Sequence, residues 1–232
     1  MVFQELPYCA YLYDESSFGK ELKLSTGNDF FPMNMARATS SLKNMGKNLT
    51  YIVIDGENID ATLGMSVLGH RPESEERPRW DRILEYARER WGGEVRALFF
   101  LNASSRHLPM AFVQALVAMG YTPVPLSSTN PNDKVVDIGI QRTLDAILDQ
   151  GEGDVILGTH DIDFLPQVED LLDADRRVGI MCFREFLSIA FNDFVDEGIE
   201  IIDMEYDMHA FQVPLPRLHI IPLDEFDPTK II

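Results

Sequence analysis

Cysteine, long apolar runs and basic charge are all scarce in this chain, and each scarcity excludes something. Cys9 and Cys182 are the only 2 cysteines in 232 residues. They form no metal-ligand spacing, so neither a disulfide framework nor a zinc ribbon is available. No stretch approaches the roughly 20 apolar residues that a membrane helix needs. The opening "MVFQELPYCAYLYDESS" has neither the basic start nor the apolar centre of a signal peptide. A cytoplasmic protein with free thiols is expected. Lys and Arg number 20 against 38 Asp and Glu, a formal net charge of −18. That excludes nucleic-acid binding by bulk positive charge, though not by a local basic groove. The deficit is uneven: residues 1–150 carry 15 basic against 19 acidic side chains, and residues 151–232 carry 5 against 19. The acidic tail reads as a solubilising feature. Internal repeats and low-complexity tracts are missing too.

What is present is an apolar content of 45%, enough for one large α/β domain with appendages. From residue 51 short β-branched or apolar runs alternate with helical periods. "YIVID" (51–55), "VRALFFLN" (95–102), the Pro-marked "YTPVPLSS", "DVILGT", "RVGIMCF" and "IEIID" read as strands. Helices are predicted over 78–91, 107–120, the run "KVVDIGIQRTLDAILDQG", 164–175 and about 185–194. Strands separated by helices of that length require right-handed crossovers. The expected fold is α/β: a mostly parallel central sheet with helices on both faces, in a Rossmann-like three-layer arrangement. Residues 1–50 form an N-terminal extension without a clear period, 51–205 the domain, and 206–232 an extended arm marked by Pro214, Pro216, Pro222 and Pro228. The apolar arm segment "FQVPLPRLHIIPL" predicts either packing on the domain or a homodimer contact.

In an open parallel sheet, ligands bind beyond the carboxyl ends of the strands. Asp55 closes the first core strand, and Asp161 and Asp163 lie just past "DVILGT". Asp137 opens a helix whose preceding loop, "SSTNPND", leaves the same edge. Each has a plain structural reading: Asp55-Gly56 as a turn pair, Asp163 as a helix N-cap, Asp137 as a first-turn carboxylate favoured by the helix dipole. Convergence changes the balance, because carboxylates gathered at one edge repel unless a cation joins them. All-oxygen donors favour Mg2+ or Mn2+, and such ions stabilise charge on a phosphodiester. His160, a lone histidine beside two aspartates, reads more as a supporting group than as a ligand. Lys134, three residues before Asp137, can contact a phosphate or pair with the carboxylate. The arginines of 71–90 alternate with acids and read as a solvated helix face.

The ordered motifs "YIVIDGENI" (51–59), "NDKVVDIGI" (132–140), "DVILGTHDIDFLPQVEDL" (154–171) and "FLSIAFNDFVD" (186–196) resemble the NYN domain, a branch of the PIN-like nuclease superfamily. The resemblance spans about residues 50–204. It implies a PIN-like fold and a metal-dependent endoribonuclease acting on RNA. Carried over by position, Asp55, Asp137, Asp161 and Asp163 would be the acidic metal cluster, and Asn58 the polar residue steadying the first carboxylate. Thr159-His160 departs from the family's more usual lead into the final aspartate. A cleft at a sheet edge admits one backbone strand, so single-stranded RNA is the expected partner, with Lys134 as a substrate contact. The alternative is a non-catalytic RNA-binding or regulatory module of the same fold. A haloacid-dehalogenase type of phosphotransfer is disfavoured, since Glu57 stands where that chemistry needs a second aspartate.

Overall fold

Six strands line up in the order β3-β2-β1-β4-β5-β6, every neighbouring pair parallel. The computed structural model describes residues 49–105, 108–130, 133–217, 221 and 223–230. The expected N-terminal extension, apart from Leu49 and Thr50, lies outside the described residues, as do Cys9 and parts of the C-terminal arm. The strands are β1 (Leu49–Asp55), β2 (Glu94–Asn102), β3 (Tyr121–Leu126), β4 (Asp154–Gly158), β5 (Val178–Cys182) and β6 (Glu200–Asp203). The helices are α1 (Gly56–Ala61), α2 (Trp80–Arg90), α3 (Met110–Met119), α4 (Val135–Asp149) and α5 (Leu165–Asp173).

Parallel strands covered on both faces read as nearly continuous apolar runs, and β1 is buried over its whole length. Alternate residues then divide between two cores. Ile52, Ile54, Ala97, Phe99, Ile156 and Met181 face α1, α2 and α3. Tyr51, Val53, Val155, Leu157 and Ile180 face α4 and α5 through Val136, Ile140, Leu144, Val168 and Leu171. The period of two in the strands meets the 3.6 period of the helices, which is why both elements were readable. Pro123 and Pro125 sit on β3, an edge strand, where a missing N–H is tolerated.

The chain runs outward from β1 twice, first to β2 and β3, then to β4, β5 and β6. Chain order therefore reverses between β1 and β4, and a crevice opens there at the carboxyl ends.

Two local features differ from the sequence expectation, and a third decides between its alternatives. Asp55-Gly56 is no turn: the Asp55 carboxylate accepts the Asn58 N–H at 3.1 Å and caps α1, which continues as a π-helical stretch over Thr62–Leu68. Gly56 is required there, because a Cβ would overlap the Phe99 ring of β2. The helix expected near 185–194 is instead two 3-10 pieces, Arg184–Phe186 and Ile189–Phe194, with Leu187 in extended conformation between them. Finally, the arm turns back on its own domain. Met208, Ala210, Phe211 and Leu215 join the core beside Phe183 and Met181. Arg82 of α2 anchors the arm by donating to the carbonyls of His209 and Phe211 at 2.7 and 2.9 Å. The apolar surface that predicted a contact with a neighbour is, over this part, used within the chain.

Candidate metal centre

The crevice between β1 and β4 is furnished by three loop–helix junctions. Asp55 ends β1 and is buried. Burial pushes its carboxyl up to about 7 against the opposing hydrogen bond from Asn58 N–H, and the charges of Asp137, Glu57 and Asp161 add to the rise. Lys134 and Asp137 stand at the start of α4. Past β4, the Asp161 N–H donates to Thr159 Oγ1 at 3.1 Å, and the Asp161 carboxylate accepts the Asp163 N–H at 3.0 Å. Asp161, rather than Asp163, is thus the cap of the short 3-10 turn Ile162–Phe164 that leads into α5.

These junctions bring Asp137, Asp161 and Asp163 together, with one oxygen from each within 4.8 Å of the others. Asp55 is not one of the three; its carboxylate is committed to the cap of α1, close enough to sense the charges of Asp137 and Asp161. Lys134 bridges the group, its Nζ 2.8 Å from Asp163 Oδ2 and 3.3 Å from Asp137 Oδ2. The hydrogen bonds it donates to Asp163 and then Asp137 raise its ammonium above the usual lysine range. One exposed ammonium among three carboxylates leaves the site acidic. Oxygen donors at this spacing suit a hard divalent cation, whereas zinc ordinarily takes His or Cys donors.

His160 is not available as such a donor. Its Nε2 accepts the Phe183 N–H at 2.9 Å, and since a backbone N–H can only donate, the ring proton must sit on Nδ1. Nδ1 in turn donates to Asn58 Oδ1 at 2.9 Å, and the His160 N–H donates to the same oxygen at 2.9 Å. The imidazole ties α1 to the ends of β4 and β5. Burial lowers its pKa to about 4; the nearby carboxylates of Glu185 and Asp203 oppose that fall, while Arg217 reinforces it. Thr159-His160, the departure from the family's usual pattern, therefore has a physical account: the pair shapes the turn that presents Asp161. Asn58 meets the Asp55 carboxylate directly through its N–H, and reaches the Asp161 turn through its side-chain hold on His160.

Sequence reasoning missed Glu57 as part of this crevice. Burial raises its carboxyl, an Asn102 hydrogen bond opposes that, and Asp137 adds to it. Its only sequence signal was its place beside Asp55.

A parallel sheet with three carboxylates converging at its switch point defines an α/β protein with an acidic, cation-type site. The NYN domain matches residues 49–203, and the chain belongs to that family, within the PIN-like nuclease superfamily. No curated protein matches the chain. Among solved structures, Streptococcus suis SuiB bound to S-adenosylmethionine aligns with 77% of this chain and 55% of its own length. Its identity is 10% and the TM-score 0.23, too low to carry an argument. Among the described residues, no helix is long and apolar enough to cross a membrane.

Proposed function

We propose that this chain is a metal-dependent endoribonuclease that hydrolyses single-stranded RNA in the cytoplasm with Mg2+ or Mn2+. The observation that carries the reading is the approach of Asp137, Asp161 and Asp163 to within 4.8 Å at the switch point of the sheet. Such an arrangement is costly without a cation, and membership of the NYN family supplies the same direction. Asp137, Asp161 and Asp163 would hold the ion, and Asp55, buried beside them, would complete the negative field. A divalent ion bound there stabilises charge developing on a phosphodiester and makes water a better nucleophile.

The protein's own contribution is placement. Asn58 and His160 hold the Asp161 turn against the end of β1. Lys134, whose side chain is 63% exposed, is positioned to leave its carboxylates and meet a phosphate oxygen. Cys182 is buried, and burial pushes its thiol up to about 12, so it is an inert thiol suited to a reducing compartment.

The test is incubation of the purified full chain with an unstructured oligoribonucleotide, the same strand annealed to its complement, and the DNA equivalent. Each is run with manganese and with a chelator. Cleavage of the single RNA strand that the chelator abolishes is expected. Metal-independent cleavage would overturn the mechanism, and RNA binding without cleavage would favour the non-catalytic alternative.

A further inference from the structure

The NYN match ends at Asp203, yet the core does not. Fourteen residues on, Arg217 of the arm returns to the end of β6 and enters a pocket of carboxylates. Its Nη1 and Nη2 donate to the two oxygens of Asp203 at 2.7 and 2.8 Å. Its Nε donates to Glu185 Oε1 at 2.6 Å, and Nη2 also donates to Glu185 Oε2. Glu205 Oε2 lies 3.5 Å from Nη1. Only 3% of the Arg217 side chain and 1% of Asp203 is exposed. Above this fork the guanidinium lies 5.5 Å from the centre of the Phe183 ring. The same ring stacks on His160, with centroids 5.6 Å apart and planes 7° apart.

A continuous series of contacts thus runs from the arm to the acidic edge. Arg217 sits against Phe183; Phe183 stacks on His160 and donates its N–H to it; His160 grips Asn58 and directly precedes Asp161. No link is a surface contact that could slide freely, since Phe183, His160 and Arg217 are all buried. We propose that Arg217 is a positioning residue for the metal site: the arm, outside the family's domain, clamps Phe183 and thereby sets the His160 ring that shapes the Asp161 turn. This rests on the metal-site reading above. A planar, forked guanidinium is required, because it must hold Asp203 and Glu185 at once while laying its face toward an aromatic ring. Lysine supplies the charge without the fork or the face.

The experiment uses full-length chain carrying Arg217→Lys, Arg217→Met or Phe183→Leu, the last leaving the arm's ion pairs in place. The first readout is nitrogen NMR of the His160 ring in the absence of metal. Wild type is expected to show one tautomer, protonated at Nδ1, and each variant an averaged or shifted pair. Calorimetry should then show manganese binding weakened about tenfold, the size typical of groups that orient ligands. Turnover should fall with little change in the KM for RNA. A merely structural Arg217 would lower the melting temperature but leave the His160 tautomer and manganese affinity of the folded protein as in wild type. That result in any folded variant overturns the proposal, and if Arg217→Met does not fold, the other two variants decide. Should wild type bind no manganese at all, the metal-site reading fails, while the His160 resonances still report whether the arm reaches the edge.

Discussion

Two clusters of acid stand at the carboxyl edge of this sheet, and they are resolved in opposite ways. Past β6, Asp203, Glu185 and Glu205 surround a guanidinium that is almost fully buried. Past β4, Asp137, Asp161 and Asp163 share a lysine ammonium whose side chain is 63% exposed. The first cluster is closed: the guanidinium donates to both oxygens of Asp203 and of Glu185, and the arm that carries it seals the group. The second is open, with a single flexible cation that water or a ligand can displace. Both hold three carboxylates to one cation, so burial and hydrogen bonding, not charge count, set them apart. A buried, forked pairing is tied into the fold, whereas an exposed group at a switch point is where a ligand can enter.

The largest expected effect breaks the closed cluster. Arg217→Met leaves Asp203 buried without its counter-charge and should cost about 3–5 kcal/mol of stability, read from urea unfolding. The matching change in the open cluster, Asp161→Asn, should leave apo-protein stability unchanged or higher, because one of several repelling charges is gone. It should nevertheless lower metal-dependent cleavage at least about 100-fold, near 2.7 kcal/mol of transition-state stabilisation. Equal stability losses in the two variants would abolish the distinction between the clusters.

Acidity separates the clusters by sign. Burial is the largest single influence on the carboxyls of Asp203 and Glu185 and works to raise them, but the hydrogen bonds and charge of Arg217 together with backbone donors outweigh it and hold both below their ordinary range. Their stabilisation is fully present above the unfolded carboxylate pKa of about 4 and is lost as pH falls through the lower folded values. Asp55 is the reverse case, raised from 3.8 to about 7. The native state then binds its proton more readily than the unfolded state, so this contribution to apo-protein stability declines as pH rises from 3.8 to about 7. Melting curves of wild type and Asp55→Asn without metal should therefore diverge over that window, the variant gaining as pH rises. A constant difference would show that Asp55 is not held in this way.

The smallest effect concerns the displaceable cation. Lys134→Met should tighten manganese binding by less than about tenfold, since an exposed ammonium is a weak competitor, and should raise the KM for RNA. Weaker manganese binding in this variant would mean that Lys134 supports the site rather than guarding it.

Much of this was readable along the chain, for a reason visible in particular residues. Asp55, Asp161 and Asp163 follow buried strands directly, and in a parallel sheet the ends of β1 and β4 must lie together. Lys134 and Asp137 are neighbours on one helix, i and i+3. The contact of Lys134 with Asp163 spans 29 residues and had no local sign. Neither did the cap at Asp55: a turn and a helix start use the same Asp-Gly pair, and only the docking of α1 on Phe99 chose between them.

By itself the sequence determined the parallel sheet, its covering helices and the edge where the aspartates gather, because apolar period and the alternation of strands with helices are legible in short segments. Only the tertiary structure decided which carboxylates share a cation and which are sealed by an arginine. His160 became a tie between α1 and the ends of β4 and β5 because the Phe183 N–H, just past β5, lies 2.9 Å from its Nε2. Arg217 reached Glu185 across 32 residues through a proline-marked arm with no period to follow. Partners so distant are selected by how the two cores close, and local patterning carries no record of that.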